Sequence, residues 1–358
     1  MNRRNIAIIG TGGAGNKLLD VLLDINPVYN SVFCNTNVKE MENLKHYDAE
    51  NNSLYFASAQ GTGRNRDKAK AAIKKDRAKT LDFFVDKYSP TSGIKTFFLI
   101  GSTDGGSGSG SMPMLAKILK RVNSNCKVNV LAPTPDFNSN ILSLKNTLGF
   151  WKDILELMKD GIVDSLQFID NNKMRDEKEF NYAVMKEFDD SIGITAGEID
   201  TEDSEKVNTA KGYKVTLNLN PDINDFEKAV EVAKLTSNFV IPEDITKVDV
   251  LMANFQKDIF KKEDIKKCFK VFSLDKEEYV EDKNMIVLGG VELPKDHKKL
   301  IEMEVEKLEK EISNRDIFDD DDLEVKTEIK REAPEIKAKG ISKKDLMNMI
   351  NDDDFWDM

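Results

Sequence analysis

The chain has 358 residues, a hydrophobic fraction of 40% and 19 phenylalanines, enough apolar material to bury a substantial core and to exclude a largely disordered protein. Its net charge of −11 argues against broad, charge-driven binding to nucleic acid. Three scattered cysteines (Cys34, Cys126, Cys268) and two histidines argue against a disulfide framework and against a zinc site. No window is apolar for long enough to span a bilayer, and Met1-Asn-Arg-Arg-Asn-Ile6 runs into a strand without a signal-peptide pattern. A cytoplasmic protein with reduced thiols and no membrane association is expected.

In chain order, Asn5-Ile-Ala-Ile-Ile-Gly10 reads as a buried strand. The glycine-rich turn Gly10-Thr-Gly-Gly-Ala-Gly-Asn16 follows, and then an amphipathic helix carrying Leu18, Leu19 and Leu22. Strand, glycine turn, helix is the opening of a parallel α/β domain with an anion at the helix N-terminus. The turn also fits Gly-x-Gly-x-x-Gly, so a dinucleotide-dependent oxidoreductase must be considered. The second strand, Val32-Phe-Cys34, ends in Asn35-Thr36-Asn37 where such an enzyme needs an acid for the ribose, which counts against that reading. A third glycine loop, Gln60-Gly-Thr-Gly-Arg-Asn-Arg66, brings Gly63, Arg64 and Asn65 to a strand end, before a helix expected over Asp67 to Lys87. Arg64 and Arg66 suit phosphate oxygens as well as they suit solvent.

The most informative stretch is Gly101 to Pro113. It lies between the apolar run Thr96–Ile100 and a helical pattern of Met112, Leu115, Ala116 and Leu119. Its glycines permit close approach of a phosphate to bare backbone N–H groups, and the hydroxyls of Ser107 and Ser109 add donors. A strand over Val128–Ala132 and a helix over Ile141–Lys159 come next. A strand over Ser165–Ile169 then brings Asn171 to a strand end, and Asn181 stands on the following helix. Amide groups of this kind can read a nucleobase edge, although each is also a common turn or cap residue. Beyond Ile199 no glycine loop recurs, and alternating strands and helices read as a smaller α+β part. Asp200 and Asp203, three apart at a helix start, are by default helix caps. The tail after Asn314 is charged and poor in apolar residues, except at its end, where Leu346, Met349, Ile350, Phe355 and Trp356 suit docking onto a partner or neighbouring subunit.

Together the loops resemble the tubulin/FtsZ superfamily of polymerising GTPases, most closely its plasmid- and phage-encoded TubZ-like branch. The family's signature loop appears as Asp104-Gly-Gly-Ser-Gly-Ser-Gly110, with Asp104 in place of the first glycine. The family's Glu and Arg after its proline-containing loop appear as Asn140 and Leu144. The resemblance implies a Rossmann-like GTP-binding domain over 1–177, a central helix over 178–198, an α+β activation domain over 199–294, a helix over 295–314 and a flexible tail over 315–358.

By the same resemblance, GTP with Mg²⁺ would be held by Gly12, Gly13, Ala14, Gly15, Asn16, Asn35, Thr36, Gly63, Arg64 and Asn65 on the first loops. Gly105, Gly106, Ser107, Gly108, Ser109 and Gly110 would join them, with Asn171 and Asn181 on the guanine. Asp200 and Asp203 would be the co-catalytic acids brought by the next subunit, with Asp222 and Asp225 as a competing pair of equal spacing. Filaments that segregate plasmid or phage DNA, through a DNA-binding adaptor held by the tail, would follow. The alternatives are an NAD(P)-dependent oxidoreductase and a non-polymerising nucleotide sensor with a partner-recruiting tail.

Overall fold

A computed structural model describes residues 1–256, 259–280 and 283–315; the terminal segment with Leu346, Met349, Ile350, Phe355 and Trp356 lies outside the described residues. Strand β1 (Ile6–Thr11) passes without a loop into helix α1 (Gly12–Ile25). There follow β2 (Asn30–Asn35), α2 (Val38–Glu42), β3 (Ser53–Tyr55), α3 (Arg66–Lys75), α4 (Arg77–Tyr88), β4 (Thr96–Gly101) and α5 (Gly106–Val122). The middle of the chain forms β5 (Lys127–Thr134), α6 (Ile141–Lys159), β6 (Ser165–Asp170), α7 (Glu177–Ile192) and α8 (Thr201–Thr209). The remainder is β7 (Gly212–Asn218), α9 (Phe226–Thr236), β8 (Lys247–Phe255), α10 (Lys262–Cys268), β9 (Lys270–Tyr279), β10 (Met285–Val291) and α11 (Lys295–Ser313).

All ten strands join one mixed, mostly parallel sheet in the order β3-β2-β1-β4-β5-β6-β7-β10-β8-β9. Strands β1 and β4 are buried at every residue, as expected of parallel strands covered on both faces. Ala7, Ile9, Phe97 and Leu99 face one core with α5 and α6; Ile6, Ile8, Phe98 and Ile100 face the other with α1 and α7. The ladder between β6 and β7 is parallel but only two pairs long, and β10 then runs antiparallel to β7 and β8. No described helix is long and apolar enough to cross a membrane.

Three elements differ from the sequence pattern. The helix expected over Asp67 to Lys87 is two helices, broken at Asp76, whose carboxylate turns away to accept from Ser58 N. Strand β9, expected over Lys270 to Leu274 from its sequence, runs on to Tyr279, and the short β3 carries no pattern of its own.

The last turn of α7 is fixed from two sides. On one side the Asp189 carboxylate accepts from Arg3 Nε at 2.6 Å and from Tyr29 Oη at 2.6 Å. On the other, the wholly buried Lys214 of β7 donates from Nζ to Ser191 Oγ at 2.7 Å and stands 5.3 Å from the centre of the Phe188 ring. Burial drives the Lys214 ammonium down from an ordinary 10.5 to about 7, and pushes the nearby Glu187 carboxyl up to about 7. Between pH 7 and 9 the unfolded chain therefore holds a proton on Lys214 that the folded chain has shed, so this group makes stability rise with pH. Lys214→Met removes that contribution. Melting midpoints measured across pH 7 to 9 should climb more steeply in the parent than in the variant, and parallel curves would contradict the assignment.

Candidate functional site

The first turns of α1 and α5 meet at the carboxyl ends of β1 and β4. Both helices begin without a side-chain cap, whereas α3, α6, α7, α8 and α9 are capped by Asn65, Asn140, Asp176, Asp200 and Asp225. Uncapped helix starts leave N–H groups and the positive ends of two dipoles aimed at one place, which suits an anion. Gly12 makes the meeting possible: its φ is +68°, and a Cβ there would lie 2.9 Å from Gly108 N.

A cavity of about 590 Å³ opens above this contact. Gly12, Gly13, Ala14, Asn35, Thr36, Gly63, Arg64, Gly105, Gly106, Ser107 and Gly108 line it, so the three glycine loops do converge. Ser107 ties them together: its Oγ lies 2.8 Å from Thr36 Oγ1 and 3.2 Å from Thr62 Oγ1. Asn35 shapes the second loop, its Oδ1 accepting from Thr36 N and Asn37 N and its Nδ2 donating to Glu40 Oε2 at 2.9 Å.

Other candidates build the walls from behind and do not line the cavity. A Cβ on Gly15 would fall 2.1 Å from Ile100 O, and one on Gly110 would fall 2.5 Å from Arg66 O; both are close-packing glycines. Buried Asn16 donates to Cys34 O at 3.1 Å. Ser109 is buried and accepts from Arg66 Nε at 3.1 Å; Asn65 caps α3. Arg66 is committed to Asp153 at 2.6 Å. Asn171, in the turn after β6, and Asn181, on α7, also stand outside the lining. Lys17 of α1 pairs with Glu177 of α7 at 2.8 Å, which joins that side of the molecule to the glycine turn.

Sequence reasoning missed two residues. Glu40 places a carboxylate at the rim, 3.0 Å from where a Cβ of Gly13 would be. Its signal was its place three residues after Asn37, the first-turn position from which an acid reaches back to a helix start. Asn146, buried in α6, donates through Nδ2 to Arg64 O at 2.8 Å and to Asp104 O at 2.9 Å, pinning two loops at once. An Asn inside a helix is a poor helix former, and that was its only mark.

The acidic pair lies elsewhere. Asp200 Oδ1 accepts from Glu202 N and Asp203 N at 2.8 and 2.9 Å, and Asp203 Oδ2 accepts from Asp200 N. Asp203 is buried, and the Lys276 ammonium at 2.6 Å holds its carboxyl below the usual range. The start of α8 belongs to a second cavity, of about 430 Å³, where Thr201, Glu202 and Glu205 stand beside Ile6 and Thr96. Ile6 pairs with Thr96, and Thr11 with Gly101, so the acids sit at the beginning of the two strands whose ends carry the glycine turns. Five strand steps, about 16 Å, separate those ends. Asp222 and the α9 cap Asp225 are both exposed and follow β7, at the sheet edge shared with the glycine cavity.

Gly12→Ala tests the central contact. It should cost about 1–2 kcal/mol from the backbone conformation alone and more from the collision with Gly108. A lowered melting midpoint with an unchanged far-ultraviolet spectrum is expected; an unchanged midpoint would refute the packing.

Residues 5–178 match the family described as Tubulin/FtsZ family, GTPase domain. The tubulin-like protein TubZ of Clostridium botulinum C phage is 26% identical over 295 residues, spanning 81% of this chain and 79% of that protein. The tubulin-like protein CetZ4 of Haloferax volcanii is 28% identical over 260 residues, spanning 65% and 64%. Among solved structures, the tail-truncated TubZ of Clostridium botulinum phage c-st superposes with a TM-score of 0.78 at 22% identity, covering 86% of this chain and 99% of that one. A GTPγS-form protofilament of Bacillus thuringiensis serovar israelensis TubZ gives a TM-score of 0.72 at 14% identity, covering 86% and 92%. The family match leaves the oxidoreductase alternative without support. Residues 5–178 carry a GTPase domain of the tubulin/FtsZ family.

Proposed function

We propose that copies of this chain assemble head to tail into filaments and that GTP is hydrolysed where they meet. One observation carries the reading: the phosphate-suited helix starts and the acidic helix start occupy opposite ends of the same two strands. Neither half can serve the other within one molecule. Stacking copies along the strand direction brings the α8 end of one against the glycine cavity of the next. The same argument favours Asp200 and Asp203 over Asp222 and Asp225, which share an edge with the cavity.

Within this reading residues 1–177 bind nucleotide, 178–198 connect, and 199–294 activate the neighbour's GTP. The starts of α1 and α5 hold the phosphates, and Asn171 and Asn181 read guanine as the nucleotide extends toward α7. The oxygen donors Asp104, Glu40, Thr36 and Ser107 form a hard set that fits Mg²⁺, directly or through its waters. The ion would neutralise phosphate charge. Asp200, exposed at the start of α8, orients and deprotonates the attacking water, while Asp203 holds the turn. This is catalysis by positioning and electrostatics. The protofilament formed by the Bacillus thuringiensis TubZ supports assembly. Likeness to a phage TubZ supports a cytoplasmic role in segregating plasmid or phage DNA, with an adaptor on the terminal segment.

The test is GTP turnover measured against protein concentration with light scattering alongside. Turnover per subunit should show a threshold that coincides with the rise in scattering; turnover proportional to protein with flat scattering would end the reading. Asp200→Ala should bind GTP within a few-fold of the parent, lose at least about a hundredfold in turnover, and leave filaments that persist. Parent-like turnover in that variant would remove Asp200 from the mechanism.

A further inference from the structure

Strand β9 continues past Leu274 to Tyr279 at the outer edge of the sheet, through the charged run Asp275-Lys-Glu-Glu278. Side chains there alternate between two faces, as in any strand. On one face Glu277 meets Lys262, at the start of α10, at 2.9 Å. On the other, Leu274 packs against the core that buries Ile194 and Ile199, and Lys276 and Glu278 reach the turn between α7 and α8.

That turn is small and closed. Ala196 N donates to Ile199 O at 3.2 Å, and Ile199 N donates to Ala196 O at 2.8 Å. Strand β9 grips the peptide groups on both sides of Glu198. Glu278 Oε1 accepts from Glu198 N at 2.7 Å, and Lys276 Nζ donates to Glu198 O at 2.9 Å as well as to Asp203 Oδ2 at 2.6 Å. Gly197 leaves room for this: its φ is +49°, and a Cβ there would collide with the Glu278 carboxylate. Only the buried Ile199 stands between the gripped Glu198 and the exposed Asp200.

Glu278 is an odd choice for a purely structural tie. Among the described residues it pairs with no cation, and the segment it meets already carries Glu198, Asp200, Glu202 and Asp203. Like charge opposes such a contact. What the carboxylate supplies in return is a strong, directional bond to a single N–H. We infer that Glu278 is a positioning residue for hydrolysis: by fixing the Gly197–Glu198 peptide from the sheet edge, it sets the direction in which Asp200 leaves the subunit. This rests on the assembly and on the role of Asp200 proposed above. Lys276 shares the grip but also holds Asp203 inside the start of α8, whereas Glu278 is bonded to the turn alone. The grip belongs to the subunit that supplies the acid, so its loss slows the neighbour's GTP and leaves its own glycine cavity intact.

The experiment uses the full chain with GTP and Mg²⁺, above the concentration at which scattering rises. Glu278→Ala should lower turnover per assembled subunit about tenfold or more, because the acid is no longer held in one direction. Its GTPγS affinity by calorimetry and its assembly threshold should stay within about twofold of the parent, and its melting midpoint within about 2 °C. Glu278→Gln, whose side-chain carbonyl accepts from the same N–H, should recover about half of the parent turnover or more. Parent-like turnover in Glu278→Ala would overturn the inference. So would a loss matched by a raised threshold or a lowered midpoint, which would make Glu278 a structural tie, and so would a Glu278→Gln as slow as Glu278→Ala. A parent without a threshold, or an Asp200→Ala that turns over like the parent, would overturn the proposed assembly chemistry and this inference with it.

Discussion

Everything at the glycine cavity depends on two helix starts touching without side chains between them. Gly12 and Gly108 bring the N-termini of α1 and α5 to backbone contact, and neither helix spends a side chain on its own first-turn N–H groups. Among the described helices five begin under an Asn or Asp cap, whereas the uncapped starts of α1 and α5 lie side by side. Bare N–H groups are costly when buried and unpaired. They are tolerable here because the cavity is open, and an anion entering it gains donors already oriented toward it. The ligand completes the caps that the fold leaves out.

That contact fixes the chemistry at one edge of the sheet, and parallel pairing then decides where everything else can be. Strands β1, β4, β5 and β6 run together, so every turn that follows one of them falls on the cavity's edge. Residues that precede a strand fall on the other. Helix α8 precedes β7, which pairs in parallel with β6, and its acids are therefore held away from the glycines by strand geometry rather than by any particular contact. The buried links of Asp189 to Arg3 and Tyr29, and of Lys214 to Ser191, fasten the end of α7 from which the chain reaches α8.

The strand–glycine–helix units were readable because strand burial, glycine content and helical periodicity all point the same way there. The roles of single residues within those loops were not. Gly15, Asn16, Ser109 and Gly110 look identical in sequence to their cavity-lining neighbours. Which glycine faces a ligand and which faces Ile100 O or Arg66 O depends on how α1 and α5 are rotated against the sheet, and no local pattern encodes that. Arg64 and Arg66 were equivalent on paper. Only the position of Asp153, far along the chain, separates a structural arginine from one that lines the cavity. The break at Asp76 was hidden for a similar reason: the Ala/Lys pattern runs straight through it, and Ser58 supplies the competing partner.

The acidic pair illustrates how a bland role and a functional one coexist. Asp200 and Asp203 form a reciprocal cap, which is the default reading of two acids at a helix start. A cap alone explains Asp203, which is buried and held by Lys276 from β9. It explains Asp200 less completely. Its Oδ1 accepts both first-turn N–H groups while the residue as a whole stays exposed, so part of the carboxylate remains toward solvent at the sheet edge opposite the glycine cavity. The two acids are thus unequal. Lys276 fixes one so that the turn cannot drift, and the fixed turn presents the other outward. Losing Lys276 would loosen the presentation without removing any group that could touch a phosphate, which separates holding the acid from using it.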